Sequence, residues 1–195
     1  MFLRKQFGGI INLPYLCVRN TQSNSTNIKI SRRERRKNME KTSTPYVEKT
    51  RAFNLIIIDE AGAMVSIPSN RVTAKRIDRL SPDEVFVFGS NIHGLHDGGA
   101  ARAAVHRFGA KYGISEGWCG QSYAIPTTGC RPQVTIQAIR RFIDMAKRHP
   151  HTRFLVTPIG CGHGGWDARL MARLFEEARI VPNISLPEVF WRYIV

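Results

Sequence analysis

Four β-favouring apolar residues in a row, Val85-Phe-Val-Phe88, run straight into Gly89-Ser-Asn91. A half-buried strand alternates apolar with polar residues, so an unbroken run predicts a strand covered on both faces. Such strands belong to largely parallel sheets clad with helices. The sequence that follows repeats this theme. A glycine-rich loop leads into an alanine-rich helix from Gly99 to about Tyr112. Ser122 to Ile125 reads as a second strand, stopped by Pro126, with its helix from about Pro132 to His149. That helix carries Ile136, Ile139, Ile143 and Ala146 on one face, and Pro150 ends it. A third strand, Phe154-Leu-Val-Thr-Pro-Ile159, is followed by Gly160-Cys-Gly-His-Gly-Gly165. Asp167 is placed to cap a helix with the stripe Leu170, Met171, Leu174, Phe175 and Ala178. Val189 to Val195 reads as a closing strand. Upstream, Phe53–Ile58 and Ala63–Ile67 around the turn Asp59-Glu-Ala-Gly62 predict a hairpin, and Pro68–Pro82 a polar connection. These elements together predict one α/β domain over residues 53–195 with a mostly parallel mixed sheet.

Two loops in that domain have the chemistry of anion sites. In open α/β sheets ligands bind beyond the carboxyl ends of the strands, and both glycine-rich loops fall there. Gly98 and Gly99 stand where a helix should begin, at an end with unpaired N–H groups and a partial positive charge. Glycine lets a diphosphate approach the backbone with no Cβ in the way. The loop Gly160–Gly165 holds four glycines in six residues and repeats the arrangement. No Gly-Lys-Ser/Thr follows either loop, and neither is a G-x-G-x-x-G fingerprint. Tight turns with no ligand remain the alternative.

Asn91 ending a buried strand, then glycine-rich sequence entering an alanine-rich helix, resembles the first ligand loop of macrodomains. Gly160-Cys-Gly-His-Gly-Gly165 resembles their second, diphosphate-cradling loop, and Gly120-Gln-Ser-Tyr-Ala-Ile-Pro126 lies between them in matching order. The likeness spans roughly Val85 to Ala178. It is to a divergent group, with Gly89-Ser90-Asn91 where the family usually carries Asn-Ala-Ala-Asn. The resemblance implies a three-layer α/β/α fold that binds ADP-ribose or a related nucleotide, with hydrolysis of ADP-ribosyl linkages in some members. It implies that Asn91 contacts the distal ribose. The ligand would be held by Gly89, Ser90, Gly98, Gly99, Ala100, Gly160, Cys161, Gly162, His163, Gly164 and Gly165. An ADP-ribosylated macromolecule is the implied partner, and no cofactor is called for.

Among polar residues, Asp97 and His96 border the first loop and are candidates to activate a water at an anomeric carbon, beside Asn91. An Asp before Gly-Gly is also a common turn residue or helix cap. His163 is a candidate phosphate donor, and Trp118 and Trp166 could stack on a base or simply pack. His93, His96, Cys161 and His163 have no recognised zinc-ligand spacing, and no metal is expected. Neither Cys161 nor Cys119 has an identifiable orienting partner for nucleophilic work.

The net charge of +14 is unevenly placed. Up to Arg51 there are twelve Lys and Arg against three acids, or +9; the rest carries +5. Residues 1–50 therefore read as a basic arm without periodicity. Three readings of it stand open: a disordered arm or a reading frame that starts at Met39, a nucleic-acid-binding arm, and a targeting peptide. The four cysteines form no C-x-x-C pair, which favours a reducing, cytoplasmic compartment. No apolar run reaches the roughly 18 residues of a membrane span, so no membrane partner is expected.

Overall fold

A computed structural model describes residues 54–59 and 61–195. The expectations for residues 1–50, and for Phe53 and Glu60 of the first hairpin, lie outside the described residues.

Strands β1 (Leu55–Ile58) and β2 (Met64–Ile67) pair antiparallel as a separate two-stranded sheet. Asp59 closes their turn by accepting hydrogen bonds at Oδ1 from the N–H groups of Ala61 and Ala63, at 3.0 and 2.8 Å. The main sheet comprises β3 (Val72–Thr73), β4 (Glu84–Asn91), β5 (Gly117–Cys119), β6 (Ser122–Thr128), β7 (Arg153–Val156) and β8 (Ile184–Pro187). Its order is β3-β8-β7-β4-β6-β5, and every pairing is parallel except β5 with β6. Four helices accompany it: α1 (Gly99–Phe108), α2 (Pro132–Lys147), α3 (Ala168–Leu174) and α4 (Glu188–Ile194).

The apolar run of β4 does what its composition demands. Successive side chains alternate between the two faces of the sheet, and all four are buried. Phe86 and Phe88 pack with Ala124 against Ala101, Ala104 and Phe108 of α1, the Phe86 and Phe108 rings lying 4.7 Å apart. Val85 and Val87 join Tyr123 and Ile125 under Ala138, Ile139, Phe142 and Ile143 of α2, in a core that also takes in α3 and α4. Burying each large side chain in this way contributes roughly 1.5–3 kcal/mol. The result is an α/β architecture, mixed but mostly parallel, compatible with three layers. No helix among the described residues is long and apolar enough to cross a membrane.

Several boundaries differ from expectation, each for a physical reason. Helix α1 stops at Phe108 because Gly109, at φ 79°, takes the left-handed cap and donates its N–H to the Ala104 carbonyl. Pro126 does not stop β6 but lies within it, opposite Ser90. The Pro126 carbonyl accepts from Thr135 Oγ1 at 2.9 Å, so this residue's polar side faces away from β4 and its missing N–H costs no ladder bond. Val189–Val195 is not a strand: the last strand of the sheet is Ile184–Pro187, between β3 and β7, and the chain then turns into α4. Phe190, Trp191 and Ile194 are buried at one-helix-face spacing, and Trp191 Nε1 donates to the Arg71 carbonyl at 3.0 Å. Leu170 of the expected stripe is exposed, while Met171, Phe175 and Ala178 are buried.

Candidate functional site

Topology opens a crevice beside β4. After β4 the chain leaves to α1, which packs on the Phe86 and Phe88 face. After the neighbouring β7 it leaves to α3, whose Met171 and Ala172 belong to the opposite core. Two adjacent parallel strands whose connections diverge to opposite faces leave a gap at their carboxyl ends. A cavity of about 570 Å³ occupies that gap, within the ~300–1,000 Å³ usual for small-molecule sites.

The first loop is anchored at its base and open at its tip. Ser90 is buried, and its Oγ donates to the Ser115 carbonyl. Gly94, at φ 67°, sits so close to Gly113 that a Cβ would lie 2.5 Å from its carbonyl carbon. Asn91 Oδ1 accepts the His93 N–H at 2.8 Å, which leaves its amide nitrogen as the group available to a ligand. At the tip, Gly98 is the N-cap of α1 and makes no side-chain cap bond, and Gly99 follows at φ 53°. A Cβ on either would meet nothing within 4 Å. Gly98, Gly99, Ala100 and Ala101 line the cavity with the first turn of the helix.

The second loop is wound on itself. The Gly160 carbonyl accepts the Trp166 N–H at 3.0 Å, and Gly165 N–H bonds to Gly162. Trp166 Nε1 donates to the Thr127 carbonyl at 3.0 Å, pinning the loop to the end of β6. The indole lies against Gly160 and serves packing, as does Trp118, whose Nε1 bonds to the Gly120 carbonyl. Asp167 caps α3 by accepting from the N–H groups of Arg169 and Leu170 at 2.9 and 3.0 Å. Gly160, Gly162, His163 and Gly164 line the cavity. The loops meet at Gly89, where a Cβ would stand 3.2 Å from the Gly160 nitrogen and 2.8 Å from Thr127 Oγ1.

Among the residues singled out from sequence, Gly89, Ser90, Asn91, Asp97, Gly98, Gly99, Ala100, Gly160, Gly162, His163 and Gly164 line this one cavity. His96, Cys161 and Gly165 do not, nor do His93, Trp118, Cys119 and Trp166. His96 is wholly buried: its Nε2 faces the Ile114 carbonyl at 3.1 Å and its ring stands edge-on to Phe88 at 5.2 Å. A nitrogen facing a carbonyl donates, and the other ring nitrogen, Nδ1, has no hydrogen-bond partner among the described residues. His96 therefore anchors the loop and cannot reach a water in the cavity. The Cys161 thiol turns towards the Ile159 carbonyl at 3.3 Å, and burial pushes its pKa up, which disfavours a nucleophilic thiolate. Gly165 lies outside the lining. Asp97 is exposed and its carboxylate has no partner among the described residues, so it is neither turn ligand nor helix cap.

The cavity also uses residues that motif reading passed over. Thr127, Thr128 and Thr157 close the ends of β6 and β7, with Thr157 Oγ1 donating to the Val87 carbonyl at 2.9 Å. Leu95, Pro158 and Ile159 give it an apolar wall. Their signal was present: Thr127 and Thr157 are the first polar residues after the apolar stretches Tyr123–Pro126 and Phe154–Val156, and Thr128 follows Thr127.

Fold and site thus define an α/β protein with a switch-point crevice, walled by two glycine loops and, among the described residues, carrying no Lys or Arg in its lining. No family model, no curated protein and no solved structure matches this chain.

Proposed function

We propose that this protein binds ADP-ribose or a related nucleotide, holding the diphosphate between the Gly98–Gly99 helix start and the Gly160–Gly164 loop. One observation carries the reading: two loops separated by some 60 residues of sequence, each glycine-rich, line a single cavity at the carboxyl ends of adjacent strands. Amides of a helix start and a glycine turn suit an anion that must be recognised without a cationic side chain. Asn91 offers its amide N–H to a ribose hydroxyl, and the threonine hydroxyls line the floor.

Cleavage of an ADP-ribosyl linkage belongs to the same reading. Among the described residues Asp97 carries the one carboxylate in the lining, unpartnered there and free to take a proton from an attacking water. Held amides would supply positioning and charge stabilisation, which carry most of such a mechanism.

Calorimetric titration of the full chain with ADP-ribose tests the binding. Saturable one-site heat is expected; none at millimolar ligand overturns the reading. Release of ADP-ribose from a modified protein then tests Asp97, since Asp97→Ala should slow release while leaving ADP-ribose affinity nearly intact. An unchanged rate removes Asp97 from the mechanism.

A further inference from the structure

A second cavity, of about 400 Å³, shares no lining residue with the first. Its walls are α3, the 3₁₀ turn Glu176–Ile180, α4, and the turn end of the β1–β2 hairpin. Among the described residues four arginines line it, Arg169, Arg173, Arg179 and Arg192, against the acidic side chains of Asp59 and Glu176. Those acids offset half of that charge: Glu176 ion-pairs with Arg173 at 3.9 Å, and Asp59 stays anionic while its Oδ1 accepts the Ala61 and Ala63 N–H groups. Arg192 pairs outside the lining, with Glu188. Arg179 donates one N–H to the Ile194 carbonyl at 3.2 Å and keeps its other donors. The Arg169 guanidinium has no partner among the described residues.

Arg169 and Arg173 stand four residues apart on one face of α3, a spacing at which like charges weaken a helix. A merely solvated basic face would spread such charges. Here guanidinium groups from α3, the 3₁₀ turn and α4 surround one concavity, with the half-exposed Tyr193 at its edge. A guanidinium is a planar fork that meets phosphate oxygens two at a time. Several forks around one cavity suit an anion with several phosphates better than a single one.

We propose that this cavity is a second anion site, selective for a small oligophosphate and read by arginine charge. It contrasts with the first cavity, whose lining carries no Lys or Arg among the described residues. The proposal does not depend on what the first cavity binds.

The test is calorimetric titration of the full chain with inorganic tripolyphosphate at about 0.15 M salt, where charges more than roughly 8 Å apart are screened. Saturable binding is expected. The double variant Arg169→Gln with Arg173→Gln should weaken it by about tenfold or more, because charge-assisted donors are lost at the site. Arg140→Gln with Arg148→Gln removes the same charge from exposed positions on and just after α2 and should change affinity less than about twofold, screening being effective there. Gly98→Val, which crowds the first cavity, should leave tripolyphosphate affinity unaltered. Arg169→Gln alone, at an exposed and unpartnered side chain, repeats the effect at smaller size should the double variant fold poorly. Absence of binding, equal losses in the two arginine pairs, or loss in Gly98→Val would each overturn the proposal: the last two would assign the anion to bulk charge and to the first cavity, respectively.

Discussion

The two glycine loops look alike as strings of letters and are built on opposite principles. At Gly98 and Gly99 an added Cβ would enter empty space, the helix start has no side-chain cap, and the neighbouring Asp97 has no partner among the described residues. At Gly160 and Gly164 an added Cβ would lie 2.6 Å from its nearest neighbour, the Met171 methyl in one case and the Gly160 carbonyl oxygen in the other. The acid that follows, Asp167, is spent on capping α3. Glycine at the tip of the first loop provides access; Gly160 and Gly164 in the second provide compactness, while Gly162 and Gly165 there stand in open space. A glycine-rich loop is thus not one signal but two, told apart by what surrounds the missing Cβ.

That contrast can be broken by substitution, and the largest effect is expected at Gly160. Its φ of 73° is left-handed, and a methyl there would also press on Met171 and the Trp166 ring. Gly160→Ala should therefore destabilise the fold by roughly 2–4 kcal/mol, read as a lower midpoint in urea. A midpoint equal to the parent's would show that the second loop is as open as the first. Gly98→Val comes next and reverses the pattern. With an extended φ of −141° and open space around it, it should cost no more than about 1 kcal/mol, valine being a poorer N-cap than glycine, while weakening ADP-ribose binding by about tenfold or more. Loss of stability without loss of binding would remove the first loop from the site.

The two acids sharpen the comparison further. Asp167→Ala removes two cap bonds and should cost about 1 kcal/mol by thermal or chemical unfolding. Asp97→Ala, with no bond to lose, should fall within about 0.5 kcal/mol of the parent. Equal costs would contradict the different roles given to them. The smallest effect concerns Cys161, whose thiol burial holds above its ordinary pKa. Alkylation at pH 8 should be slower at Cys161 than for an unstructured cysteine peptide, and peptide mapping by mass spectrometry reads it directly. Faster alkylation would mean the second loop opens readily.

Much of the frame was legible from local pattern. Val85–Phe88 could only be a strand buried on both faces, and Pro132 with Pro150 bracketed α2 closely. Asp167 announced the start of α3, and both loops fell at strand ends as read. Val189–Val195 was not legible, because Phe190 and Arg192 alternating with Trp191 and Tyr193 suit a strand, whereas Phe190, Trp191 and Ile194 suit one helix face. What decided it was the preceding segment, Ile184–Pro187, taking the sheet position beside β7. His96 was misread for a related reason: a histidine next to Asp97 in a glycine loop looks catalytic until the Gly113–Ser115 segment is seen to cover it.

What the residues settled unaided are the properties that neighbours along the chain control: which stretches are strands or helices, where glycine frees the backbone, and that helix starts follow strand ends. Which loops share a cavity was settled by strand order, because β7 lies beside β4 although more than 60 residues separate them, and chain proximity carries no trace of that pairing. The role of each glycine was likewise a tertiary decision, since a missing side chain has meaning only through the atoms that would have touched it.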